Sequence, residues 1–246
     1  MRDRILLSAL VVLGVGAAAS AQSVAYITGN AEPWNQMGNV NALNDVYGIG
    51  NWDRTTFAVP ADTFSHDVVI MSGGDGATGE FETFINANRA SMESFVSNGG
   101  VLVVGAARWG GTDNFDLGFG ISLNFGGDST GTAVDVNHPV YDGPFGMTGA
   151  NFAGNSLAHD TVSGAGLELL MMGDQTNGGI LGEMSFGSGH VIAHGLTLAF
   201  FGENVGWSDN TDEFIRNLYS YAGTVPAPGA LSLIALGGFV GLRRRR

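Results

Sequence analysis

Any chemistry in this chain must be done without thiols, because none of its 246 residues is Cys. Disulfides, thiolate metal sites and thiol nucleophiles are therefore excluded. What remains is a large set of carboxylates, five His and a few Arg. The interesting ones follow apolar runs: Asn30 and Glu32, Asp75, Arg108 with Trp109, and His194. Arg108 beside Trp109 could hold an anion or a sugar, the guanidinium donating hydrogen bonds and the indole stacking. The competing reading is an ion pair with one of many carboxylates, the commoner fate of such an arginine. His194 ends an apolar run, where a hydrogen-bonded structural imidazole competes with a ligand role. Asp75, Arg108, Trp109 and His194 are the candidate ligand-binding residues, and no residue is assigned as catalytic.

Other chemistry-bearing residues form no recognisable constellation. His66, His138, His159, His190 and His194 form no cluster in the sequence that argues for a zinc site. Gly73-Gly74-Asp75-Gly76 has no following Lys-Ser/Thr and reads as a tight turn, not a phosphate loop. Ser72 is not in a G-x-S-x-G elbow. Asp209, Asn210, Asp212 and Glu213 lack the twelve-residue calcium loop with its central Gly, and helix capping accounts for them. Neither a metal nor a cofactor is expected.

All ten positive residues are Arg, and six of them lie within four residues of a terminus. Between residues 22 and 224 only Arg54, Arg89, Arg108 and Arg216 stand against 22 acids, a net charge of −18. A body this acidic repels phosphate backbones, so nucleic acid is not a partner.

The elements that must position these residues can be read from periodicity. Val24–Thr28 is a strand ending at a Gly-Asn turn, and Trp34 to Tyr47 has a loose helical face of Trp34, Met37, Leu43 and Val46. Thr55–Val59 offers a short strand. Val68–Met71 and Val101–Gly105 are continuous apolar runs, as in strands buried on both faces. Glu80–Ser97 lies between them as a helix stopped by Asn98-Gly99-Gly100. Strand, helix, strand makes a βαβ unit and predicts that Val24–Thr28, Val68–Met71 and Val101–Gly105 are parallel neighbours. From Trp109 to about Gly166 the chain is rich in Gly, Asn, Asp and Thr, and reads as an insertion or a set of short strands without a clear order. Leu167–Met172 resumes a strand, Gly179–Met184 and His190–His194 form a hairpin, and Asp209–Tyr221 closes the body as a helix.

This order of elements resembles the class I glutamine-amidotransferase-like fold. The residues that carry the resemblance are the apolar strand before Ser72-Gly73-Gly74, Gly99-Gly100-Val101-Leu102-Val103, Asn137-His138-Pro139-Val140, Gly182-Glu183, Gly187-Ser188-Gly189-His190-Val191 and the final Phe214–Leu218 helix. The resemblance implies a flavodoxin-like, doubly wound, mostly parallel sheet over residues 22–222, with helices on both faces and a Gly/Asn/Asp-rich insertion. In that family the nucleophile is a Cys on a tight turn, which here falls near Gly105-Ala106-Ala107-Arg108. Alanines stand there, so glutamine amidohydrolysis by that route is excluded.

The two ends speak of export. Residues 1–21 carry Arg2 and Arg4, an apolar run and Ala19-Ser20-Ala21, the pattern that signal peptidase accepts. Residues 223–246 join a Pro-containing linker (Pro226, Ala227, Pro228) to a short apolar helix, Gly229–Leu242, and to Arg243, Arg244, Arg245 and Arg246. Fourteen apolar residues fall short of the ~20 that a comfortable span needs, and terminal arginines stay inside. This order resembles the PEP-CTERM sorting signal, with Ala227 where the named motif has Glu. It implies an exosortase-type processing enzyme and a membrane attachment through the C-terminal helix that is transient or, as a plain anchor, permanent. The expectation is an exported envelope or extracellular-matrix protein, non-catalytic, acting in structure or in binding glycans such as matrix polysaccharide. The alternative is a sugar-active hydrolase using Asp75, Glu183 or a His as acid–base groups.

Overall fold

The structure, a computed structural model, describes residues 22–58, 62–201 and 210–225. The signal-peptide segment 1–21, Asp209, Pro226, Pro228, the Gly229–Leu242 helix and Arg243 to Arg246 lie outside the described residues. Among the described residues no helix is long and apolar enough to cross a membrane.

In chain order the elements begin with β1 (Val24–Thr28), α1 (Gly38–Tyr47), β2 (Asp53–Thr56), β3 (Val68–Ser72), α2 (Thr78–Ser97) and β4 (Val101–Gly105). They continue with β5 (Phe115–Gly118), β6 (Ile121–Ala133), β7 (Asp142–Gly143), β8 (Gly146–Met147) and β9 (Asn151–Gly164). The chain then forms β10 (Glu168–Gly173), β11 (Gly179–Phe186), β12 (Gly189–His194), α3 (Leu198–Phe201) and α4 (Thr211–Thr224). The first helix starts at Gly38 and not at Trp34, because Trp34 and Asn35 sit at φ of 54° and 53°, which no helix accepts. The last runs three residues past its expected end at Tyr221.

Strands β12, β4, β3, β1 and β2 lie side by side and parallel, so β1, β3 and β4 are the neighbours that their apolar runs predict. Strand sides alternate. Tyr26, Ile70 and Val103 face α1 and α4, whereas Ile27, Met71 and Val104 face α2. The register levels Thr28, Ser72, Gly105 and His194, so the carboxyl ends of these strands form one shelf.

The fold class differs from a mostly parallel, doubly wound sheet. The segment read as an insertion or a set of short strands without a clear order forms two of the longest strands, β6 and β9, which pair antiparallel over most of their length. Strand β10 pairs with β6 on one side and β11 on the other, and β9 also pairs with β11, so β10, β6, β9 and β11 close into an antiparallel four-stranded barrel. The architecture is mixed: a parallel half and an antiparallel barrel joined through the β11–β12 hairpin. The composition of residues 121–164 hid this. A strand wetted on one face needs apolar residues only at alternate positions, as Ile121, Leu123 and Val162 supply, and Gly, Asn and Thr fill the rest. Closure into a barrel then removes the open edges that such strands would leave.

Gly195 joins the halves. Its carbonyl accepts the His159 N–H at 2.9 Å, and a Cβ there would collide with the Asp160 carbonyl. Only a glycine lets the end of β12 approach β9 this closely.

Candidate functional site

The chain reverses direction across the sheet between β1 and β3, since β2 lies on one side of β1 while β3, β4 and β12 follow on the other. A crevice opens above such a switch point, where loops leaving neighbouring strands diverge. Beside it, over the carboxyl ends of the parallel strands and against β9, lies a cavity of about 500 Å³, in the size range of small-ligand sites. Trp34 reaches it from the loop after β1, Asp75 from the turn after β3, and Trp109 from the loop after β4. Strand β9 of the barrel contributes Asn155, Ser156 and His159, and the segment after β12 contributes Thr197 and Phe200.

Two aromatic walls flank an imidazole. The His159 ring lies 4.9 Å from Trp109 and 5.8 Å from Trp34, both edge to face, and Trp34 meets Phe200 at 6.3 Å. Burial pushes the His159 pKa below the usual imidazole value, against the pull of the Ala107 backbone and the Asp75 charge. The ring is therefore neutral at neutral pH, and its Nδ1 is buried without a hydrogen-bond partner. Trp109 is 70% exposed, its outer face open to solvent.

The loops are held under strain. Asp75 sits at φ 54°, as Trp34 does, and its Oδ2 accepts the Trp34 N–H at 3.1 Å. Left-handed backbone costs a non-glycine residue about 1–2 kcal/mol, and such residues cluster at binding sites. The hydrogen bond couples the two strained turns, so the carboxylate of Asp75 ties down the backbone of Trp34.

Of the four residues singled out from sequence, the structure brings Asp75 and Trp109 to this cavity and withholds the other two. Arg108 is fully buried beneath it. Its Nε and Nη2 donate to Asp160 Oδ1 at 3.1 and 2.6 Å, and its Nη1 donates to Glu82 at 2.6 Å and to the Thr112 carbonyl at 2.8 Å. The second Nη2 donor faces the Leu123 carbonyl at 3.5 Å, so no N–H remains for a ligand. Arg108 is thus held in buried ion pairs with Asp160 and Glu82. His194 is likewise sealed. Its ring abuts Gly105, where a Cβ would overlap it, and burial pushes its pKa down to about 4.

Glu183 belongs to a different place. Its carboxylate accepts from Tyr221 at 3.2 Å and lies 3.3 Å from His138 Nε2 and 3.1 Å from His190 Nε2. Burial alone would raise its pKa, but the hydrogen bonds and charges of the two His outweigh burial and hold it at about 2. His190 pairs with Val101, the first residue of β4, so this cluster sits at the amino ends of the parallel strands, opposite the cavity. Asp75 and Glu183 cannot act as one acid–base pair. Among the described residues no group of three or more His, Asp or Glu has the arrangement of a metal site.

Trp34, His159, Asn155 and Phe200 were not singled out from sequence. Trp34 carried the one available signal, an aromatic residue in a Pro-containing turn straight after an apolar strand.

No family model and no curated protein matches the chain. Among solved structures it is similar to a ThuA-like protein from Bacteroides uniformis, at 14% identity and TM-score 0.49 over 85% of this chain and 94% of that one. It is also similar to a cytoplasmic protein from Salmonella typhimurium, at 13% identity and TM-score 0.48 over 80% and 97%. A third is a beta-galactosidase from Bacillus circulans sp. alkalophilus, at 14% identity and TM-score 0.46 over 82% of this chain but 31% of the galactosidase, so the chain spans about a third of that enzyme.

Proposed function

We propose that this protein is an exported, non-catalytic binding module of the cell envelope or its matrix, and that the cavity between the carboxyl ends of the parallel strands and β9 takes a neutral saccharide. The observation that carries this is the presence of Trp34 and Trp109 in one cavity lining with Asp75, Asn155, Ser156 and Thr197. Indole faces stack on the apolar faces of sugar rings, and a few polar groups fix orientation. Charge narrows the ligand class further. There is no Lys, and each of the four body arginines is paired with an acid: Arg54 with Glu32, Arg89 with Asp116, Arg108 with Asp160 and Glu82, Arg216 with Asp45. With no uncommitted Arg or Lys in an acidic body, uronic or sulfated glycans are disfavoured. Glycoside hydrolysis uses two facing carboxylates, whereas Asp75 is the one carboxylate among the described residues that line the cavity.

Binding of the full chain to cellohexaose, mannohexaose and polygalacturonate, followed by calorimetry, tests the reading. We expect binding to a neutral oligosaccharide and none to polygalacturonate. Trp109→Ala should weaken it roughly thirtyfold, the ~2 kcal/mol of a stacked anchor, while changing stability by less than about 0.5 kcal/mol. Preference for polygalacturonate, or indifference to Trp109→Ala, would overturn the assignment. Release of shortened sugars would favour the hydrolase reading.

Export rests on the terminal segments. A mature N-terminus near Gln22 and cleavage near Pro226-Ala227-Pro228 by an exosortase-type enzyme are the expected products, read by intact mass in the native host. Retention of Arg243 to Arg246 in the mature envelope fraction would make the tail a plain anchor.

A further inference from the structure

We propose that Arg108, with Asp160 and Glu82, is the positioning residue of the cavity: it fixes Trp109 and His159 in the orientation that meets a ligand. The proposal rests on the binding reading above and deepens it. Arg108 precedes Trp109, and Asp160 follows His159, so the two ion-paired residues are chain neighbours of the two stacked rings. One carboxylate of Asp160 clasps Arg108 by both main chain and side chain, accepting the backbone N–H at 2.8 Å as well as the guanidinium. Glu82, from α2, accepts Arg108 Nη1 and also takes the Thr112 N–H at 2.9 Å and the Thr112 hydroxyl at 3.0 Å. Arg108 Nη1 donates to the Thr112 carbonyl too, so the loop from Arg108 to Thr112 closes around one guanidinium. Within that loop Gly110 and Gly111 stand at φ of 85° and 109°, residues that would leave it free without these ties. The Trp109 N–H adds a hydrogen bond to the Thr78 hydroxyl at 3.3 Å.

The result is an indole with an open face and an immobilised base. Preorganised aromatic side chains bind with little further loss of conformational freedom. Stability alone does not explain the arrangement, because a buried ion pair is commonly no better than apolar residues of the same volume. Precise placement of its neighbours is what the guanidinium supplies here that an apolar side chain would not.

Glu82→Ala is the informative variant, because it releases Thr112 and one arm of Arg108 while leaving the Arg108–Asp160 pair in place. The readout is the ¹⁹F NMR signal of 5-fluorotryptophan at position 109, assigned with Trp109→Phe, together with cellohexaose affinity. We expect the Trp109 resonance to shift and to show added motion in Glu82→Ala, and Glu82→Gln to restore it. Affinity should fall about three- to tenfold, the cost of immobilising one side chain on binding. In a Trp109→Ala background the same Glu82→Ala change should have no further effect, a coupling that a general loss of stability would not produce. An unchanged Trp109 resonance in Glu82→Ala, or additive effects in the cycle, would overturn the proposal. If cellohexaose binds none of these proteins, the saccharide reading falls for that ligand and the resonance alone decides the positioning role.

Discussion

His194 should make the protein acid-sensitive between about pH 6.5 and pH 4. The ring is sealed between β12 and Gly105, and burial holds its pKa at about 4 against an ordinary value of 6.5. The folded pKa is depressed, so between those two values the unfolded chain binds a proton that the native state refuses. Stability contributed by the neutral ring is full above pH 6.5 and drains as pH falls toward 4. The gap between them amounts to about 3 kcal/mol once both pKa values are passed, most of it, about 2 kcal/mol, lost by pH 5. In a body of this size that lowers Tm by about 4–8 °C. Replacing His194 with Leu, of similar volume and without a titrating group, should remove this slope and leave saccharide binding unchanged at pH 7.5. His159 is also lowered by burial and titrates in both proteins, so the comparison is between the two pH profiles. Urea unfolding at pH 7.5, 6 and 5 measures it. Equal slopes for the wild type and His194→Leu would refute the reasoning, and so would loss of binding in the variant, which would return His194 to the site.

Two further perturbations follow from the buried charges. Asp160→Ala leaves the Arg108 guanidinium buried with Glu82 as its remaining carboxylate partner, and should destabilise by about 3–5 kcal/mol in urea unfolding; a loss under 1 kcal/mol would mean that water reaches Arg108. Glu183, held at about 2 by His138 and His190, contributes stability that is present above its ordinary pKa and lost as pH falls from about 4.5 toward 2. Glu183→Gln should abolish that lower segment of the acid-unfolding profile and leave the His194 segment intact; persistence of both would place the acid transition elsewhere.

The parallel half was legible because its strands are buried on both faces. Val68–Met71 and Val101–Gly105 are runs that only a covered sheet tolerates, and an amphipathic helix between them requires a crossover. The barrel was not legible for the opposite reason. Residues 121–133 and 151–164 carry glycines and small polar residues, and their burial alternates only in places. Pairing of β6 with β9 also shifts register twice, between Phe125 and Asp128 and again before Thr130, so no single period runs through either strand. Asp128 explains one of these irregularities. Its buried carboxylate accepts the N–H groups of Gln175 and Thr176 and the Thr176 hydroxyl, a tertiary demand with no local signature.

The cavity shows the same division between local and distant causes. Asp75 and Trp109 were found because both follow apolar strands, and the shelf of strand ends is where a parallel sheet presents residues. Arg108 follows the same strand as Trp109, yet it turns inward, because Asp160 waits beneath the shelf on a barrel strand whose course was unread. The inward Arg and the outward Trp are one event: the guanidinium is drawn to Asp160 and Glu82, and its neighbour is left on the surface with its backbone pinned. His159 is brought in by the same pair, since the carboxylate that captures Arg108 belongs to the next residue along β9. The long β6–β9 pairing and the glycine contact at Gly195 therefore do more than complete a core. They carry an acid to the end of a parallel strand, and the aromatic walls of the cavity stand where that acid holds them.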